Sequence, residues 1–519
     1  MNIHSAKPTL SIVISMSESP PAAVRVARGA SYIYLQIVLS NLFGIVYFAF
    51  ATRFLSVYEI GVVSSMLLIT TIFVTFFIFA LPSALVKFIS EFIGGGKINS
   101  ARGVIKKGVM SGVVLSALFS SLCFLASPFI SSLLFGSQVY GHLLELLALD
   151  IFTLMLLPFL SNSLVGLQRF SNVALSNSLG AGIKYATAII LLDLRFGLFG
   201  VVLGWIVGDL ATLVLYTSFL LRFRGEVASV SLALLAKYSF PIYLVGYSNY
   251  FSARVDQFLI ILYLGLEKLG LYNVAITAFG IVSAMSDSIG SALFPQFSER
   301  FGRKDINALL TASLGASRYV SIIYIPMAVG LASVALPAIT LFAGIRYSEG
   351  AVPLALLTLA SAIVCLTVVA SSIISSLGRT RIFLWASLIS LAVDAVLCSQ
   401  LMPALGIVGA ALSKLLATLF SFWFIMYNLR KIFEWHFDVE ALKKAWVSSV
   451  MMGLIVLATQ QLYAGRFYLP MYIMVGGVSY FVSMRLLHAF NASDIALVKG
   501  FLPRRLAFVV DALKRLLIA

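Results

Sequence analysis

Charge is scarce in this chain. Of its 519 residues only 11% are Asp, Glu, Lys or Arg, and the acidic kind is the scarcer, 20 against 36 basic. A soluble domain is about a quarter charged, so an ordinary water-facing surface is excluded. Cysteine is nearly missing. Cys123, Cys365 and Cys398 each fall inside an apolar run and read as small core residues rather than a disulfide framework. His4, His142, His436 and His488 stand far apart, and none has metal-ligand spacing with a cysteine or another histidine. No P-loop, G-x-S-x-G or zinc signature occurs. The expectation is a protein that is not an enzyme and needs no cofactor. No hydrophilic stretch is long enough to house a nucleic-acid-binding domain, so the net charge of +16 calls for another cause.

What the chain has is apolar length. It is 61% hydrophobic with a mean hydropathy of +1.03. A water-soluble fold could not hide that much apolar surface, so the solvent is lipid. Apolar runs of about 19 to 27 residues recur about fourteen times, as bilayer-spanning helices require. They run from 30–51 and 60–81 through 107–127, 238–264 and 270–295 to 445–463 and 467–486. The fold class expected is an all-α polytopic membrane protein. Basic residues fall in alternate loops. One side collects Lys87, Lys106, Lys107, Arg169, Arg222, Lys237, Arg300, Arg303, Arg379, Arg430 and Lys444, together with both tails; the other holds only Arg53, Arg195, Lys268, Arg346 and Arg466. Lys and Arg mark cytoplasmic loops, so both termini are expected in the cytoplasm.

The chain resembles itself at an offset of about 209 residues. Leu55 and Gly61 recur as Leu264 and Gly270. Ser90, Glu91 and Gly94 recur as Ser298, Glu299 and Gly302, and Gly197 and Gly200 as Gly406 and Gly409. Six spans per copy keep both copies in one orientation. Parallel repeats of this kind build transporters with a cavity between two lobes. The expected organisation is a flexible cytoplasmic tail (1–27), an N-lobe (28–224), a C-lobe (225–432), two further helices (433–490) and a basic amphipathic cytoplasmic tail (491–519). Gly200, Gly204 and Gly208 form a small-residue face on the sixth span, answered by Gly409, Ser413 and Ala417 on the twelfth. Such faces let helix backbones approach closely in lipid.

Several local patterns resemble the multidrug/oligosaccharidyl-lipid/polysaccharide (MOP) exporter superfamily, and within it the Wzx-like polysaccharide flippases. They are Arg53 and Leu55 followed by Glu59 and Gly61, then Leu81-Pro82, then Gly166-Leu167-Gln168-Arg169. In the second half come Pro241, Asp256, Gly270-Leu271-Tyr272-Asn273 and Gly406-Ile407-Val408-Gly409. The resemblance implies a flippase that moves a lipid-linked oligosaccharide, an isoprenoid phosphate or pyrophosphate sugar, across the cytoplasmic membrane by alternating access. Its partners would be that lipid and the glycosyltransferases or polymerase of the same pathway, with the protein working as a monomer. The alternative is a cation-coupled multidrug exporter of the same superfamily.

Charges at membrane depth cost about 2.5–3.5 kcal/mol each on insertion scales and call for a reason. Asp150, Lys184, Asp209, Arg254, Asp256, Asp287, Asp394 and Lys414 are such charges. At about 1.5 Å per residue, Lys184, Asp256, Asp394 and Lys414 all lie roughly 12–14 Å from the outer helix ends. Lys184, Arg254 and Arg53 are the candidates for holding the lipid's phosphates. Asp256 and Asp394, with Ser390 one turn earlier and Ser413 on the twelfth span, are the candidates for a coupling Na⁺ or H⁺, because carboxylate and hydroxyl oxygens suit a hard cation. Some family members carry a cation site in helices seven, eleven and twelve, and many have Asn where Asp394 stands. The alternative is static pairing, Asp394 with Lys414 and Lys184 with Asp209 or Asp150.

Overall fold

The computed structural model describes residues 22–223, 225–303, 305–379, 381–433, 435 and 437–489. Among them there is no strand. The first half holds α1 (Ala22–Phe54), α2 (Val57–Phe76), α3 (Leu81–Gly94), α4 (Ile98–Phe135), α5 (Gly141–Gly166), α6 (Phe170–Asp193) and α7 (Gly197–Leu221). Next come α8 (Leu232–Gly302), α9 (Ile306–Ser333), the short α10 (Ala335–Phe342) and α11 (Ala351–Ser376). The chain continues with α12 (Arg381–Leu405), α13 (Ile407–Ile432), α14 (Val439–Leu462) and α15 (Leu469–Leu486).

Thirteen described segments are long and apolar enough to cross a bilayer. One of them lies within α8 and counts twice. A straight helix of 71 residues would be about 107 Å long, far beyond the roughly 30 Å of a hydrocarbon core. The chain turns at Gly265, whose φ of 82° and ψ of −178° are open to glycine and not to other residues. The Tyr272 hydroxyl donates to Asp256 Oδ2 at 2.7 Å, although sixteen residues of straight helix would hold them about 24 Å apart. The two arms, 232–264 and 266–302, are therefore an antiparallel hairpin, and among the described residues the spans number fourteen. An even count brings both ends of the described chain to one face.

Local chemistry explains the other boundaries. Ser56 caps α2 in a capping box: its side chain accepts from the Glu59 amide at 3.2 Å, and the Glu59 carboxylate accepts from the Ser56 amide at 2.7 Å. The second span is broken after α2 by Phe79 and Ala80, both at left-handed φ (52° and 51°). It resumes as α3, with Pro82 in its first turn. The sequence places the stretch from 82 to 106 outside the spans, yet helix occupies nearly all of it. α3 buries Leu81, Ala84, Leu85, Phe88 and Ile89 and packs on α4 and α5. Charges on its other face dilute the hydropathy there. α1 likewise begins at Ala22, inside the expected N-terminal tail. The rest of that tail and the expected basic C-terminal helix lie outside the described residues.

The internal repeat is visible in the packing. α6 packs on α7 and α1, and α5 on α4 and α7. In the second half α12 packs on α13 and α8, and α11 on α9 and α13. α14 and α15 pair with each other and rest on α9. The two halves meet chiefly where α2 crosses α8.

Candidate functional site: a cavity between the halves

The glycine face on α7 builds one wall of the site. A Cβ added at Gly200 would stand 2.9 Å from Leu191 Cβ, one at Gly204 2.6 Å from the Ala188 amide nitrogen, and one at Gly208 2.2 Å from Lys184 Cβ. The stripe thus seats α7 directly against the α6 backbone. That approach brings Lys184 Nζ within 2.8 Å of Asp209 Oδ2 and 5.4 Å from the Trp205 ring. The Lys184 side chain keeps 17% of its surface open, toward a cavity of about 290 Å³.

α1, α2, α6, α7 and the second arm of α8 line this cavity. Ser40, Asn41, Ser64, Asn273 and Thr277 supply hydroxyls and amides, and Tyr47, Tyr185 and Trp205 supply rings. Tyr47 and Tyr185 stack with ring centres 5.0 Å apart. Lys184 is the charged residue in the lining. Ile45, Phe48, Val63 and Leu67 complete a lining that is largely apolar, so the space offers one ion-paired ammonium and a few amides and hydroxyls on apolar and aromatic walls.

Two groups of buried charge flank the interface, each with two carboxyls and one lysine. In the first half Asp150 on α5, Lys184 on α6 and Asp209 on α7 face one another. In the second half Lys414 Nζ lies 3.1 Å from Asp394 Oδ2 and 3.7 Å from Asp256 Oδ1, and donates to the Ser252 carbonyl at 2.7 Å. Ser413 donates to Asp394 Oδ1 at 2.9 Å. The ion pairs on α6–α7 and α12–α13 occupy equivalent helices of the repeat with the signs exchanged.

The structure brings Asp256, Asp394 and Ser413 together, with the Lys414 ammonium standing where the sequence placed a coupling Na⁺ or H⁺. Ser390 is half-buried and makes no hydrogen bond to this group among the described residues. Among the described residues no cluster of three or more His, Cys, Asp or Glu side chains could hold a metal ion. Of the expected phosphate ligands, Lys184 faces the cavity. Arg254 is half-buried, donates to Gln257 Oε1 at 3.2 Å, and is not in the lining. Arg53 is exposed at the end of α1, 6.0 Å from the Phe50 ring, and is also outside it. The Asp287 side chain lies outside the described residues. Sequence reasoning missed Asn41, Tyr47, Tyr185, Trp205 and Thr277. The available signal was uncharged: amides, hydroxyls and rings inside apolar spans. Asn273 was visible only as part of a motif.

Fold and cavity together define a polytopic α-helical membrane protein with a cavity between its two halves. The lipid II flippase MurJ, solved in an inward closed conformation, superposes with a TM-score of 0.69 at 17% identity, covering 89% of this chain and 99% of MurJ. An inward-facing multidrug resistance MATE family transporter of the MOP superfamily gives 0.59 at 14%, covering 76% and 95%. A MOP superfamily transporter from Pyrococcus furiosus gives 0.53 at 15%, covering 79% and 96%. At these identities the likeness is one of fold. The chain belongs to the polysaccharide biosynthesis protein family, whose model matches residues 50–353. It is also 24% identical over 220 residues to an uncharacterized membrane protein of Methanocaldococcus jannaschii. That match takes in 42% of this chain and 43% of the archaeal one, under half the length of either.

Proposed function

We propose that this protein flips a lipid-linked oligosaccharide, carried on an isoprenoid phosphate or pyrophosphate, across the cytoplasmic membrane for polysaccharide or glycan assembly. The observation that supports this is the cavity lining, in which a lysine ammonium stands among amides, hydroxyls and aromatic rings. A phosphate headgroup complements the ammonium. Sugar hydroxyls bond to amides, and sugar faces stack on rings. The two halves would rock about the cavity to open it to one side and then the other. The basic loops put both termini in the cytoplasm. The protein would act as a monomer and receive its cargo from glycosyltransferases of the same pathway.

Electrical energy favours this direction. Each negative charge moved outward across an inside-negative membrane releases about 2.3 kcal/mol per 100 mV. The loaded step therefore needs no coupling ion. The alternative is a cation-coupled multidrug exporter, and a cationic drug would bring like charge against Lys184. The test is a vesicle assay with a fluorescent isoprenoid pyrophosphate sugar and a fluorescent organic cation. The protein should flip the first and leave the second. Transport of the cation alone would overturn the assignment.

A further inference from the structure

The two buried charge groups differ in one respect. In the second half each carboxylate oxygen has a donor. Asp256 accepts from the Gln257 amide and from Tyr272, and Asp394 from Ser413 and Lys414. In the first half Lys184 donates to Asp209. Asp150 is 0% exposed, and among the described residues neither of its oxygens has a donor. Its surroundings are specific: Lys184 faces it from α6 and Asp209 from α7. α2, α3 and α4, which also pack on α5, bring no charged group to it among the described residues.

A bare carboxylate at that depth is strongly disfavoured. A neutral carboxylic acid is not, because it has an O–H to donate and the Asp209 carboxylate beside it can accept. We propose that Asp150 is a proton-binding site whose proton frees Lys184 to capture the substrate's anionic headgroup. This rests on the reading of the cavity as an anion site.

With its proton, Asp150 is a standby donor to Asp209. Lys184 can then leave Asp209 for a phosphate without stranding a buried anion. Without the proton, two carboxylates share one ammonium and hold it in place. The proton stays on Asp150 through capture and release, so no bond other than hydrogen bonds changes. Anion binding is accordingly strong while Asp150 is protonated and weakens as rising pH removes that proton.

The test uses the full-length protein, with farnesyl pyrophosphate as probe and uncharged farnesol as control, between about pH 6 and about pH 9. Wild-type affinity for the pyrophosphate should fall about tenfold across that rise while farnesol binding stays flat. The probe's own ionisation increases with pH and acts in the opposite direction. Asp150→Asn keeps a donor in place, so its affinity should stay within about twofold of the low-pH wild type at every pH. Asp150→Leu has no donor and should bind about tenfold more weakly throughout. Infrared spectroscopy without ligand supplies an independent readout: the wild type should show a buried carboxylic-acid carbonyl band that Asp150→Asn lacks. The same pH slope in Asp150→Asn as in wild type, or no difference in that band, would overturn the proposal. The band without binding of either lipid would support the proton on Asp150 and overturn the headgroup assignment instead.

Discussion

Gly61 and Gly270, partners in the internal repeat, meet each other in space. A Cβ on Gly61 would stand 1.9 Å from the Leu266 carbonyl oxygen, and one on Gly270 would stand 2.3 Å from the Val57 carbonyl oxygen and 3.0 Å from the Gly61 amide nitrogen. Val57 and Leu266 are themselves repeat mates, so the contact is reciprocal. The two glycines lie beside the turns at Ser56 and Gly265.

Under the proposed alternating mechanism the two halves would separate at this crossing. Gly61→Val or Gly270→Val leaves no room for the closed arrangement. Cysteine pairs across the crossing, Val57 to Leu266, should crosslink readily in the wild-type background. In the valine variants the yield should fall by about tenfold while expression persists, since backbone contacts this close cannot be regained by a small side-chain shift. Unchanged crosslinking would show that the crossing tolerates a side chain.

The same pair shows what could be read from sequence. Gly61 and Gly270 stood out as repeat mates, and the α7 glycine face as a packing face. The all-α spanning class and the turn near residue 265 were also legible, because each depends on hydropathy and glycine. α3 was hidden, since an amphipathic helix with charge on one face resembles a loop to a hydropathy window. The cavity was legible only through Lys184. Uncharged polar residues such as Asn41 and Thr277 carry no sequence signal that separates a cavity lining from a helix contact. Arg254, chosen for its estimated depth, is not in the lining of this cavity, because depth along a helix says nothing about which way a side chain faces; Arg53, from the outer loops, is outside it too.

Gly208 should matter through Lys184. Gly208→Leu forces α7 away from α6 and separates Lys184 from Asp209. Overpacking of this kind costs about 1–3 kcal/mol. Thermal unfolding of the purified protein should shift downward by several degrees. Gly477, with open space around its Cβ position, should accept Ala with no shift. Equal effects at the two positions would contradict the close seating of α7.

The Asp394–Lys414 pair should behave as a structural unit. Removing one member of a buried pair costs about 3–5 kcal/mol. Asp394→Asn should therefore lower the unfolding temperature, and Asp394→Asn with Lys414→Gln should recover most of it. Transport by the double variant should keep the wild-type response to external Na⁺. Loss of a Na⁺ response in the double variant, with stability restored, would instead place a coupling ion at these residues.

Topology is open to a direct check. An even number of spans brings both ends of the described chain to one face, and on the reading proposed above that face is cytoplasmic. A reporter active only inside cells, fused to the C-terminus, should be bright. A dark reporter at normal expression would mean the orientation is inverted.

The most direct measurement is headgroup discrimination by Lys184 during flipping itself. In reconstituted vesicles, wild-type protein should flip a fluorescent isoprenoid pyrophosphate sugar faster than its uncharged analogue. Lys184→Ala should slow the charged lipid by about tenfold, about 1.4 kcal/mol, and leave the uncharged one unchanged. Equal slowing of both lipids, or none of either, would contradict a cavity built around an anionic headgroup.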